Sequence, residues 1–202
     1  MKLNLAKFYK FGFWLFLVII FTSLNLLRIT NSGYESELEK LKEVNEKRVS
    51  SLLVSNSITK RLIVPVYGEN ILNHKINNNL LKDTCLVILL STFKCNQCQE
   101  NELKRLNSLK NIFGSNGVNV IGITIKSERD AVIRQQKITK INFPIYWVND
   151  DSFYNISFYD EFPQILFIVN NVIVSGFIPV PFDDGFSEDY LSKLINSTFW
   201  FK

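Results

Sequence analysis

The sequence predicts an α/β domain with a mixed central sheet flanked by helices, preceded by one transmembrane helix and a juxtamembrane helix. Three observations predict it. Phe11 to Leu27, FGFWLFLVIIFTSLNLL, carries no charge. CLVILLS at 85–91 is an almost unbroken apolar run, as expected of a strand buried on both faces. After it, helix-spaced and strand-like segments alternate, ending in two strands around Asn170-Asn171 and a last helix.

The apolar stretch comes first. At about 1.5 Å rise per residue it approaches the roughly 30 Å thickness of a bilayer core, and Phe8 and Tyr9 extend it. Tyr9 and Trp14 lie toward its N-terminal end, where amphipathic rings favour the headgroup level. A cleaved signal peptide would have a shorter apolar core and a small-residue cleavage site. RITNSGYESELEK follows instead, so residues 1–30 read as an uncleaved anchor. Lys2, Lys7 and Lys10 precede the span and Arg28 is the only base just after it. The positive-inside rule therefore expects a cytoplasmic N-terminus and everything after Arg28 outside.

Charge excludes one class of partner. The formal net charge of +4 arises wholly within the first 33 residues, which hold four bases and no acid. The remainder is balanced, with no electrostatic footprint for nucleic acid.

Residues 31–60 read as a juxtamembrane helix or linker, rich in Glu, Lys and Leu. Leu38, Leu41, Asn45, Arg48 and Leu52 fall at heptad spacing, which raises the alternative of a homodimer paired through 34–57. The domain proper is expected over 61–202. LIVPVY reads as a short strand, confined by Pro65 to an edge or a strand start. After CLVILLS, the spacing of Leu103, Leu106, Leu109, Ile112 and Phe113 predicts a helix that stops near Gly114. VNVIGIT (118–124) is a strand, ERDAVIRQQKI (128–138) a helix and FPIYWV (143–148) a further strand. Asn170-Asn171 joins QILFIV to VIVSGF as a hairpin, and SEDYLSKLI (187–195) opens a closing helix with Ser187 as N-cap.

Chemistry concentrates in FKCNQCQE. Cys95 ends the loop after the buried strand, and Cys98 lies in the first turn of the next helix. A helix N-terminus favours a thiolate, the attacking species in disulfide exchange. Lys94 adds positive charge if its ammonium turns toward the sulfur. Two intervening residues let one sulfur reach the other over one helical turn. Three readings remain open from the residues alone: a redox couple, half of a metal site, or two inert cysteines in an interaction module.

Strand, C-x-x-C at a helix start, β-α-β, an X-Pro, a hairpin and a last helix resemble the thioredoxin superfamily, over about Leu62 to Ile195. With the anchor, the chain is similar to membrane-tethered bacterial thiol–disulfide oxidoreductases and to redoxins of the alkyl hydroperoxide reductase–thiol-specific antioxidant type. The resemblance implies exchange on cell-envelope substrates without a cofactor, with protein thiols or disulfides as substrates and a redox partner protein. It places the chain as a single-pass protein of the bacterial cytoplasmic membrane with its domain in the periplasm. Cys95 and Cys98 would be catalytic, and Phe162, Pro163 and Lys94 would border the substrate, Pro163 as a cis-proline. The sequence departs from the family in having Lys94 where an aromatic residue usually precedes the first cysteine. It also has Asn96-Gln97 between the cysteines and no acid in LVILL; Asp83 and Glu100 are near in sequence but out of place.

Two other chemistries share these residues. Thr92 to Cys95, TFKC, matches the Thr half of the peroxiredoxin motif, with Ile88 where its proline would stand and Arg129 or Arg134 as candidate guanidinium. Cys85, Cys95, Cys98 and His74 make a Cys3His set of the kind that holds structural zinc. Their spacing lacks the two close pairs usual for such sites. Cys85 reads more simply as a small buried residue, His74 as a surface one.

Overall fold

The computed structural model describes residues 5–91, 96–181 and 183–198. The chain divides into two units, Met1–Asn45 and Glu46–Lys202. Helix α1 (Leu5–Ile58) contributes to both.

In the first unit, α1 is long and apolar enough to cross a membrane. Its large apolar side chains from Phe13 to Ile29 are exposed. Polar residues within the span satisfy themselves: the Thr22 and Ser23 hydroxyls donate to the carbonyls of Val18 and Ile19, both of Ile19's bonds included, at 2.8–2.9 Å. Such back-bonding suits a helix in a medium that offers no water.

The second unit is built on one seven-stranded sheet. Its strands are β1 (Gly68–Asn70), β2 (Ile76–Asn77), β3 (Cys85–Leu89), β4 (Asn119–Ile125), β5 (Ile145–Val148), β6 (Gln164–Val169) and β7 (Val172–Phe177). The order is β2-β1-β5-β4-β3-β6-β7. Strands β3, β4 and β5 are parallel; on one side β6 pairs antiparallel with β3 and β7 antiparallel with β6, and on the other β1 pairs antiparallel with β5. All five residues of β3 are buried. Leu86 and Ile88 face a cluster with Leu103, Leu106 and Phe113 of α2 (Asn96–Ser115), Val132 of α3 (Arg129–Thr139) and Leu191 of α5 (Asp184–Thr198). Cys85, Val87 and Leu89 face the other cluster, with Phe153 and Ile156 of α4 (Asp150–Ile156) and Ile58 at the end of α1. The side-chain period of two thus gives both faces something apolar to bury against.

Several local expectations are corrected. LIVPVY forms no strand; only Leu62 makes an isolated bridge, to Val172. Pro65 has no N–H to offer a ladder, and the segment is instead strapped down by Ile63 N–H to the Asn171 carbonyl (2.8 Å) and Leu80 N–H to the Val66 carbonyl (3.0 Å). The first sheet pairings come later, in β1 and β2. Ser187 is not the N-cap of α5: it is buried inside the helix, and the Asp183 carboxylate, one residue before α5, accepts the Phe186 N–H at 3.3 Å. A further helix, α4, follows β5 and is capped by Asn149, whose side chain accepts the Ser152 N–H (2.8 Å). The Asn170-Asn171 turn has the positive φ values, 51° and 61°, of a type I′ hairpin. Helix α2 ends at Ser115, and Gly117 takes φ +75°, where a side chain would be strained.

The second unit begins at Glu46, inside α1. Ser51 is buried, and a Cβ on Gly176 of β7 would overlap the Ile58 side chain. Arg48, a heptad position in the sequence, is bound within the unit to Asp183.

Candidate active site

The carboxyl ends of β3 and β4 and the start of β6 meet at one edge of the sheet, the usual place for chemistry in an open α/β sheet. Register fixes who meets there. Leu89, last in β3, lies opposite Gln164, first in β6. Pro163 is therefore held at the carboxyl end of β3. It is buried, and the Phe162–Pro163 peptide bond is cis. The Phe162 ring stacks on Phe153 with centroids 5.5 Å apart. Gln164, fully buried, ties down the preceding loop: its amide donates to the carbonyls of Tyr159 (2.5 Å) and Glu161 (3.0 Å), and its carbonyl accepts the Phe158 N–H (3.1 Å).

Cys98 lies in the first turn of α2, half-buried and disulfide-bonded. Next to it, Gln99 is fully buried; its Oε1 accepts the Ser91 N–H at 2.7 Å, and the Ser91 hydroxyl donates to Glu128 Oε1 at 3.0 Å. Side chains from α2 and from the 3-10 turn after β4 (Lys126–Glu128) thus fasten the end of β3 from below.

Beside Cys98 opens a cleft of about 150 Å³ between the first turns of α2 and the segment joining β7 to α5. Glu102, Pro179, Val180, Pro181 and Asp184 line it with Cys98. Burial pushes the Glu102 carboxyl above its ordinary range, against the opposing pull of the Arg105 guanidinium. Arg105 bridges Glu102 to Asp184, the latter at 2.6 Å. One Glu102 oxygen makes no hydrogen bond; the Ser187 hydroxyl lies near enough to favour the carboxylate, but not in bonding geometry.

No family model matches the sequence, and no curated protein sequence matches it. Solved structures do. A thiol:disulfide interchange protein from Bacteroides sp. aligns with a TM-score of 0.53 at 17% identity, over 68% of this chain and 90% of that one. A thiol:disulfide interchange protein of the thioredoxin family from Chlorobium tepidum aligns with 0.51 at 17%, over 67% and 97%. A PrxQ variant from Xylella fastidiosa aligns with 0.50 at 14%, over 67% and 94%. The fold is thioredoxin-like.

The thioredoxin-like frame separates the residues singled out in the sequence. Cys98, Phe162 and Pro163 lie at the carboxyl edge, whereas Cys95, Lys94 and Thr92 fall outside the described residues. Cys85 is a free thiol buried at the opposite end of β3, and burial pushes its pKa up to about 12. Exposed His74 holds Glu69 at 2.6 Å, with Arg129 3.3 Å away. Among the described residues no group of His, Cys, Asp and Glu is arranged to hold a metal. Arg129 also reaches the Ile71 carbonyl (3.4 Å), and Arg134 is exposed on α3. Asp83 is exposed at the far end of β3, and Glu100 faces Lys104 at 4.0 Å.

The acids that matter here, Glu102 and Glu128, escape a sequence reading. Neither is in the strand before the cysteines. The available signal for Glu128 is its place at the end of the short turn after a parallel strand; Glu102 lies one helical turn beyond Cys98.

Proposed function

We propose that this chain is a membrane-anchored thiol–disulfide oxidoreductase whose redox couple is Cys95 and Cys98. The observation that carries the reading is a disulfide-bonded Cys98 in the first turn of α2, with the cis Phe162–Pro163 bond directly before β6, whose first residue pairs with the last of β3. Cys85 is free and distant in the fold, and the reading pairs Cys98 with Cys95, the other cysteine of the C-x-x-C sequence.

In the reducing direction the Cys95 thiolate attacks a substrate disulfide. A mixed disulfide forms and one substrate thiolate leaves. The Cys98 thiolate then attacks the Cys95 sulfur, the second substrate thiolate leaves, and the protein disulfide is formed as the substrate gains two electrons. The oxidising direction is the reverse, and either needs a redox partner protein to reset the couple. Glu102, in the same cleft as Cys98 and with its carboxyl pKa raised by burial, is the group suited to take the Cys98 proton. Pro163, Phe162 and Lys94 border the substrate chain. The domain spans roughly 61–202 with the last turns of α1 packed on it, and the anchor holds it outside a bacterial cytoplasmic membrane. A homodimer through 34–57 would have to spare Arg48, already engaged by Asp183.

The test is capture. Cys98→Ser should accumulate mixed disulfides with envelope proteins, and Cys95→Ser should not. A Cys98→Ser protein that captures nothing, with no reversible Cys95–Cys98 bond in the wild type, overturns the proposal. The likeness to PrxQ keeps a peroxidase as the second reading. It predicts hydroperoxide consumption and a sulfenate at Cys95.

A further inference from the structure

The wall of the cleft opposite Cys98 is held by α1. Pro179, Val180 and Pro181 line the cleft, and Asp183 directly precedes α5. Both ends of this segment are fastened to the same helix. At one end the buried Ser51 hydroxyl donates to the Ile178 carbonyl (2.9 Å) and accepts the Ile178 N–H (3.1 Å). At the other, Arg48 makes a two-pronged bond to Asp183, Nε to Oδ2 at 2.5 Å and Nη2 to Oδ1 at 2.8 Å. The same guanidinium lies over the Phe186 ring, 5.5 Å from its centroid. Phe186 in turn packs on Phe177 at the end of β7 (5.1 Å).

Each contact has a local reason. Two prolines in three residues leave that stretch short of N–H donors, so it cannot be secured by pairing with a strand. A serine hydroxyl supplies both a donor and an acceptor to one residue's backbone. A guanidinium matches a carboxylate in two places and stacks on an aromatic face at the same time.

We propose that Arg48 and Ser51 are positioning residues: the last turns of α1 clamp the Ile178–Pro181 segment and Asp183, and so set access to the Cys98 sulfur. The last turns of α1 then brace the segment that forms one wall of the cleft. The inference builds on the proposed thiol chemistry for its purpose, but its geometry stands apart from it.

Thiol alkylation tests it in the full-length, detergent-solubilised chain. A Cys95→Ser background leaves Cys98 as a free thiol, and mass spectrometry follows its reaction with a maleimide separately from that of Cys85. Buried Cys85 reports global unfolding. Arg48→Ala should accelerate Cys98 alkylation about 2- to 5-fold, as expected when a partly exposed ion pair no longer holds a local opening shut. Ser51→Val, which orphans two backbone groups, should accelerate it about tenfold. Cys85 should stay unreactive in both, and Lys193→Ala, which breaks the exposed Lys193–Asp189 pair on α5, should change neither rate. Unchanged Cys98 rates in both clamp variants overturn the proposal. So does a rise in step with Cys85, which marks plain destabilisation. If the clamp variants behave as expected while Cys98→Ser captures no partner, the clamp stands and the exchange reading falls.

Discussion

Ser91 at the carboxyl end of β3 donates its hydroxyl to Glu128 Oε1, 3.0 Å away at the end of the turn after β4. Both residues are buried. A carboxylate taken out of water depends on such donors, because its lost hydration must be replaced. Ser91→Ala should therefore destabilise the domain by about 1–3 kcal/mol. Chemical denaturation monitored by circular dichroism measures it, and an unshifted midpoint would show that the hydroxyl is dispensable.

Glu102 predicts a pH dependence with a definite sign. Burial raises its folded-state pKa above the ordinary 4.5, so the folded protein binds its proton more tightly than the unfolded chain. The contribution to stability is fully present below pH 4.5 and is lost as pH rises through the folded pKa. Glu102→Gln cannot ionise. The stability of wild type relative to this variant should fall as pH is raised from 4 toward neutrality, about 1.4 kcal/mol for each unit of pKa shift crossed. Denaturant titrations at a series of pH values give the curve, and parallel profiles for the two proteins would remove Glu102 as a buried acid. Asp183 works in the opposite sense. The Arg48 bond depresses its pKa, so its contribution is lost as pH falls through the folded value.

Gln164 is the peg of the loop before Pro163. Gln164→Leu keeps similar bulk but strands the Phe158 N–H and the carbonyls of Tyr159 and Glu161. A loss of about 1–3 kcal/mol is expected for leaving such groups unpaired, together with a raised KM for any disulfide substrate that docks beside Pro163. A raised KM with unchanged kcat separates loss of docking from loss of chemistry.

The anchor is testable by charge. Phe16→Lys combined with Ile20→Lys puts two ammonium groups mid-span, each costing about 2.5–3.5 kcal/mol for insertion. The double variant should leave the membrane fraction on carbonate extraction and ultracentrifugation. Retention there would show that residues 11–27 are not what holds the chain.

Much of the architecture follows from local pattern. A short apolar run bounded by polar turn residues fits a strand covered on both faces, and β3 is one, central and wholly buried. The 3.6-residue spacing of Leu103, Leu106 and Phe113 marks α2, and Asn-Asn, tolerant of positive φ, marks the hairpin. Period, turn chemistry and the cysteine spacing are short-range properties, readable without a fold. The sheet edge is different. Pro65 sits among apolar residues that mimic a strand, yet β1 and β2 form from GEN and IN, whose pairing depends on β5 being there to receive them.

What the sequence alone determined is the class of the domain, the uncharged span before it and the C-x-x-C after its buried strand, because each rests on residues close along the chain. Only the tertiary structure decided what surrounds Cys98. Glu102 faces it across one helical turn, while Pro179, Pro181 and the Arg48–Asp183 clamp, 135 residues apart in sequence, come from elements that no local pattern connects. Burial and long-range pairing set those partners, and burial is a property of the folded chain.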